Sequence, residues 1–465
     1  MAPRTLASRI GVRRGVGLLL AIVLFILPLA LDVPGLDPAG ERMLAIFLVA
    51  IVLFVTEAIP LFATAALIIL LQVLMLSEQA LVRLTEPSVS AREVYASLAD
   101  PVIILFLGGF LIADGAAKYR LDRNLAALVL TPFRSDARRA LLALMLMTAG
   151  LSLFMSNTAT AATMFAVLLP VLAVLPDGMA RTGFALSIPL AANLGGIGTP
   201  VASPPNALAV AAITSRGESI SFLSWMLATV PLMVILLALG WLYLSRRYLT
   251  RGTPLDLDLT RNFDTSLGAW VFYAVAATTI VLWLSEPLHG IPATTVGFLP
   301  VVVLLATTVM SGDDLRALQW PVLWLVAGGI ALGNGVIASG LDGWLVGLVS
   351  WENVPAMLLL LTIAAMAWAM SNLLSNSATA NLLIPIGLTL AVSIGQDVVV
   401  TGVLLAVACS LGMVLPVSTP PNAIAYATGT VKTGDLAVVG VLLGVVGVLL
   451  VGVFLPWWGE VIGLW

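Results

Sequence analysis

Long apolar stretches separated by short polar punctuation fill this chain. Runs lie near 16–31, 43–58, 60–76, 101–116, 222–245, 268–285, 293–311, 319–338 and 436–457, and two more, 183–214 and 400–430, each contain a Pro-Pro pair. Each suffices to cross roughly 30 Å of hydrocarbon as a helix. The pattern therefore predicts eleven membrane spans, two of them broken at their proline pairs. Two further apolar stretches, about 140–175 and 355–395, carry the polar triplets Ser156-Asn157-Thr158 and Ser375-Asn376-Ser377 at their middles. These predict re-entrant helical hairpins that enter and leave on one side. The expected fold class is an all-α polytopic membrane protein of about eleven transmembrane helices plus two re-entrant hairpins.

The polar interruptions repeat. SNTATA from Ser156 is followed by SPPNA from Ser203, and SNSATA from Ser375 is followed by TPPNA from Thr419. Asn157 precedes Asn206 by 49 residues and Asn376 precedes Asn422 by 46, while the triplets themselves are 219 apart. A third block agrees, because PVIILFLGGFLIADG from Pro101 matches PVLWLVAGGIALGNG from Pro321 at an offset of 220. The chain reads as an N-terminal basic flank and first span (1–42), a first repeat (43–251) and a second repeat (252–465). Five spans separate the two cassettes, an odd number, so the second repeat is expected to be inverted relative to the first. Duplicated halves with interrupted polar segments are the mark of secondary transporters whose site lies at the repeat interface.

Composition agrees with a membrane setting: 465 residues, 60% hydrophobic and only 10% charged. A single cysteine, Cys409, and a single histidine, His289, leave neither a disulfide framework nor a Cys/His metal cluster. Net charge of −3 says little, since in membranes the placement of Lys and Arg carries the information. With the N-terminus cytoplasmic and both hairpins returning, 17 of the 21 Lys and Arg fall inside, among them Lys118, Arg134, Arg138, Arg246, Arg247, Arg251, Arg261 and Arg316. Only Arg42, Arg83, Arg92 and Arg216 fall outside. The expectation is a multi-pass protein of the cell inner (plasma) membrane with a cytoplasmic N-terminus and an outside C-terminus. A signal peptide is the competing reading of the basic N-terminus, but no convincing small-residue cleavage site follows its apolar run.

Non-helical backbone survives at membrane depth only where it lines a cavity or is buried in protein. The pairs Pro204-Pro205 and Pro420-Pro421 remove donors and free carbonyls of the preceding turn, which are cation ligands. The triplets add hydroxyl and amide oxygens, and the helix that starts after each presents unpaired N–H groups and a positive dipole end suited to an anion. Ser152 and Ser371 lie four residues before the cassette serines, on the same helix face, and can complete each cation shell. A lone triplet of this kind is most simply interhelical packing. Recurrence of both elements, in order and at similar spacing, argues for a site.

The motifs TEAIP at Thr56, SNTATA, SPPNA, SNSATAN and PVSTPPNAIAYATG from Pro416 resemble those of the divalent anion/sodium symporter family, the INDY-type dicarboxylate, citrate and sulfate carriers, over residues 40–460. The resemblance implies a homodimer with a scaffold domain and an elevator-type transport domain. It implies one sodium at Ser156 and Asn157 with backbone around Gly198, and a second at Ser375 and Asn376 with backbone around Ser418. Substrate contacts are implied for Asn157, Thr158, Asn376 and Ser377 and for the Ser203-Pro204 and Thr419-Pro420 turns. Ser377 stands where the family usually has Thr, which keeps a hydroxyl and removes a methyl.

No Lys, Arg or His lies near either cassette, so the charge of a dianion must be offset by co-bound cations, because burying it alone is prohibitive. Two sodium ions per dianion make the complex electroneutral, and each further net charge is worth about 2.3 kcal/mol per 100 mV. The expected function is sodium-coupled symport of a divalent organic anion into the cell, with Na+ at two or more sites. Two opposed sets of donors suit a carboxylate at each end, so a C4 dicarboxylate such as succinate or malate comes first. A sodium-independent dicarboxylate exchanger and a citrate or sulfate symporter stay open as alternatives. An enzyme is not expected, since the chain has no HExxH, no GxSxG and no paired carboxylates within its apolar spans. No nucleic-acid partner is expected either.

Overall fold

Proline pairs, glycines and capping hydroxyls set the ends of the helices in the computed structural model, which describes residues 3–85, 88–133, 136–175, 178–249, 262–348 and 355–464. No strand occurs among the described residues. The principal helices of the first half are α1 (Pro3–Ala30), α2 (Pro38–Thr56), α3 (Leu61–Leu76), α4 (Pro101–Lys118), α5 (Ala137–Ser152), α6 (Asn157–Val174), α7 (Met179–Gly195), α8 (Pro204–Thr214) and α9 (Phe222–Arg247). Those of the second half are α10 (Leu267–Leu284), α11 (Phe298–Ala306), α12 (Trp320–Ala338), α13 (Ala356–Leu373), α14 (Asn376–Ser393), α15 (Val398–Ser410), α16 (Pro420–Ala427) and α17 (Thr433–Leu449).

Among the described residues, eight helical stretches are long and apolar enough to cross a membrane, and shorter apolar helices such as α3 and α15 accompany them. The number differs from eleven for a physical reason. The expected spans at 183–214, 293–311 and 400–430 are each divided into shorter helices and those at 16–31 and 60–76 correspond to the shorter apolar helices Arg14–Ala30 and Leu61–Leu76, while α13 and α14, the arms of the second expected hairpin, are themselves 18 residues each. The hairpins at 140–175 and 355–395 appear as α5–α6 and α13–α14, each turning at its polar triplet. The boundary expected at residue 251 lies outside the described residues.

Hairpins and broken spans interlock. Within each half the hairpin packs on the first piece of its own broken span, α5 and α6 on α7, α13 and α14 on α15. The second piece crosses over: α8 lies against α14 and α15, and α16 against α6 and α7. Beside this body, α3 and α12 run parallel, with Ala65 next to Gly328 and Gln72 next to Gly335. Gln72 Nε2 donates to the Ala331 carbonyl at 2.8 Å, which satisfies a buried amide inside the bundle. A Cβ at Gly328 would come 2.4 Å from that of Ala65, and one at Gly108 would come 1.9 Å from the Gly297 carbonyl oxygen. Close backbone approach of this kind is how membrane helices gain packing contact without a hydrophobic drive.

Polar contacts gather the helix ends into two faces. On one, Lys118 pairs with Asp314 at 2.6 Å, the Trp241 indole donates to the Arg138 carbonyl at 3.0 Å, and the Tyr248 hydroxyl lies 3.1 Å from Asp435. On the other, Arg42 donates to the Met75 and Val82 carbonyls at 2.7 Å, the Phe222 amide donates to Glu286 at 2.9 Å, and Arg216 donates to Thr389 at 2.8 Å. The first face carries residues from the basic set of the charge partition, and Arg42 and Arg216 of the sparse set lie on the second. Arg134, Arg251 and Arg261 lie outside the described residues.

Candidate functional site

Four helices start at the wall of one cavity of about 440 Å³. Their leading residues, Ser156, Ser203, Ser375 and Thr419, all line it. Ser156 Oγ accepts from the Ala159 amide at 3.3 Å, Ser375 Oγ from the Ala378 amide at 3.2 Å and Thr419 Oγ1 from the Asn422 amide at 3.4 Å. Ser203 and Thr419 hold extended backbone (φ −149° and −139°), and prolines follow at the first helical positions, where a missing N–H costs nothing. The buried Ser203 hydroxyl has no partner within the described protein. Four positive helix ends thus converge on one space, an electrostatic setting that favours an anion.

Behind the wall the two hairpins build the same arrangement twice. Ser152 Oγ lies 2.8 Å from Asn157 Oδ1 and 2.8 Å from the Ala192 carbonyl. Ser371 Oγ lies 2.7 Å from Asn376 Oδ1 and 2.5 Å from the Cys409 carbonyl. Both serines are fully buried. The approach needs glycine opposite: a Cβ at Gly195 would sit 2.8 Å from Ser152 Cβ, and one at Gly412 would sit 2.5 Å from Ser371 Cβ. Each half therefore concentrates neutral hydroxyl, amide and carbonyl oxygens, a donor set that suits a hard cation.

The broken backbone is held by amides that the repeat spacing marked without explaining. Asn206 Nδ2 donates to the Gly196 and Thr199 carbonyls at 2.9 and 2.7 Å, and Asn422 Nδ2 donates to the Met413 and Leu415 carbonyls at 2.8 and 3.0 Å. Several carbonyls freed by the proline breaks are thus already paired once. One cross-repeat contact has no counterpart: Asn193 Nδ2 lies 3.1 Å from both Thr419 Oγ1 and Asn422 Oδ1.

Of the residues singled out from the sequence, Ser156, Asn157, Thr158, Ser203, Pro204, Ser375, Asn376, Ser377, Ser418, Thr419 and Pro420 line the cavity. Ser152 and Ser371 stand one layer behind it, and the Gly198 carbonyl accepts from Thr229 at 3.3 Å away from the wall. Asn193, Gln319, Phe106 and Phe110 also line the cavity and were not foreseen. Asn193 has Ser410 and Gln319 has Ala99 at the matching position of the other half, so neither amide repeats, and the phenylalanines are indistinguishable in sequence from lipid-facing residues. Among the described residues, no Lys, Arg, His, Asp or Glu lines the cavity.

Known proteins resemble this chain over almost its full length. Residues 13–465 match the family model described as the sodium:sulfate symporter transmembrane region. The chain belongs to that family. It is 31% identical over 488 residues to the sodium-dependent dicarboxylate transporter SdcS of Staphylococcus saprophyticus, covering 95% of this chain and 91% of the relative. The corresponding protein of Staphylococcus aureus (strain MW2) is 29% identical over 475 residues, covering 94% and 89%. Among solved structures, the YdaH transporter of Alcanivorax borkumensis shares the fold with a TM-score of 0.56 at 13% identity, covering 91% of this chain and 98% of its own. A member of the sodium:sulfate symporter family is a membrane transporter and not an enzyme.

Proposed function

We propose that this transporter carries a divalent organic anion, first a C4 dicarboxylate such as succinate or malate, into the cell together with two or more sodium ions. The observation that carries the reading is the pair of matched oxygen clusters, Ser152 with Asn157 and Ser371 with Asn376, flanking one cavity that no cationic side chain lines. Sodium at these clusters supplies the positive charge the protein lacks, and the four helix starts address the carboxylates between them. The relatives named as sodium-dependent dicarboxylate transporters support the same assignment. The ions and the anion raise each other's affinity by one common factor.

By the positive-inside rule the face carrying Lys118, Arg138 and Arg247 is cytoplasmic. The cavity draws on Leu61 and Phe62 at the start of α3 and on Gln319 and Val322 at the start of α12, ends that belong to this face, so the site opens inward here. Alternating access then requires the interlocked body of both hairpins and both broken spans to move as a unit against α3, α4, α11 and α12, an elevator-type motion between inverted repeats. The test is uptake of labelled succinate into proteoliposomes with sodium replaced by choline. Uptake is expected to vanish without sodium, and Asn157→Ala and Asn376→Ala are each expected to abolish it in protein that still inserts. Undiminished uptake without sodium, stimulated by internal dicarboxylate, would assign an exchanger instead.

A further inference from the structure

Gln319 is the one polar side chain that α3, α4 and α12 with its leading residue present to the cavity among the described residues. It reaches across the boundary between this framework and the hairpin body, where its Nε2 donates to Ser156 Oγ at 3.0 Å. The same oxygen accepts from the Ala159 amide at 3.3 Å. A serine hydroxyl oxygen has two lone pairs. Both are taken, which leaves none for a cation. The bond from Gln319 and coordination of a sodium ion by the Ser156 hydroxyl therefore exclude each other.

The second half has no equivalent. Ser375, the counterpart of Ser156, accepts from its own helix at Ala378, and no described hydrogen bond reaches it from the framework. The alignment of Pro101 with Pro321 puts Ala99, which has no side-chain donor, at the position of Gln319. Asp100 next to it is an acceptor engaged in capping α4 at the Val102 amide, 2.8 Å away. A body displaced to the other face thus meets no matching amide.

We propose that Gln319 is a one-sided sodium-release residue: it takes the Ser156 lone pair only while the cavity faces the basic side, lowering sodium affinity of the first hairpin there and not on the opposite side. This rests on the reading of Ser156 as a sodium ligand. Sodium entering from the basic side must first displace the glutamine, and sodium arriving from the other side is stripped of one ligand when the body reaches this position. The amide acts by positioning and competition and needs no contact with the transported anion.

The experiment uses the full-length protein with Gln319→Leu, Gln319→Ala and Ser156→Ala. Sodium is titrated against choline at constant ionic strength, and thermal stabilisation reports binding without relying on transport. In oriented proteoliposomes, half-saturating sodium is measured separately from each side. Gln319→Leu and Gln319→Ala are expected to lower half-saturating sodium on the basic side roughly fivefold, the scale of one net hydrogen bond, and to leave the other side unchanged. Ser156→Ala should weaken the sodium response, and adding Gln319→Leu to it should change nothing more. Equal shifts on both sides, or none in either glutamine variant while Ser156→Ala still weakens the response, would overturn the release role alone. An unaltered sodium response in Ser156→Ala would instead discard Ser156 as a ligand.

Discussion

Asn206 and Asn422 sit where the broken backbone has few donors of its own, and each is essentially inaccessible to solvent, at 0% and 1% exposure. Replacing Asn206 by Leu leaves the Gly196 and Thr199 carbonyls without that amide, at a cost of about 2 kcal/mol or more for two buried acceptors. Asn422→Leu does the same to Met413 and Leu415 and also removes one of the two acceptors of the Asn193 amide, so its melting temperature should fall further than that of Asn206→Leu. Equal losses in the two variants would remove Asn193 from the account. At this scale the sequence showed the residues that occur twice. Repetition marked Asn157, Asn376 and both Pro-Pro-Asn elements, whereas the amides of Asn193 and Gln319 are not repeated, Ser410 and Ala99 standing in their places, and the space between helices that makes them part of the site has no signature along the chain.

Helix breaks were legible because prolines and capping hydroxyls act locally: the expected broken spans 183–214 and 400–430 correspond to α7–α8 and α15–α16, and the hairpin turns fall at the triplets. Partner choice was not legible, since the crossing of α8 and α16 into opposite halves is decided by packing between distant segments. The glycine pairs show how unequal two neighbours become once packed. A Cβ at Gly108 would meet the Gly297 carbonyl oxygen at 1.9 Å, while one at Gly109 would lie 3.3 Å from Val201 Cβ. Gly108→Ala is expected to cost about 1–3 kcal/mol by forcing α4 and α11 apart, and Gly109→Ala far less. Thermal unfolding of the two variants side by side checks this, and equal stability would refute the close approach as the reason for glycine at 108.

Over the whole molecule the cavity is lined unevenly. The α12 end contributes Val322 and Leu325, while α4 contributes Phe106 and Phe110 from further along, and the counterpart of Val322, Val102, is buried with 3% exposure. If the repeats exchange roles during transport, Val102→Cys becomes reactive to an impermeant thiol reagent from outside during turnover, and Val322→Cys reacts from the cytoplasm. Fixed markers calibrate the sides: Arg247→Cys should label only from the cytoplasm and Glu218→Cys only from outside, with Cys409 silent because it is fully buried. Val102→Cys that never reacts under turnover would argue against the exchange. Charge placement in the sequence supports the proposed sidedness, and the uneven lining supports the proposed inward-facing state. The crossing of α8 and α16 also bears on biosynthesis. The first hairpin leaves the ribosome long before α16 exists, so the surface of α6 and α7 that α16 will cover waits in the membrane for the end of the chain. A first half made alone should therefore insert yet hold its hairpin loosely, and the quality-control machinery of the cell has a window in which an unfinished chain differs from a finished one.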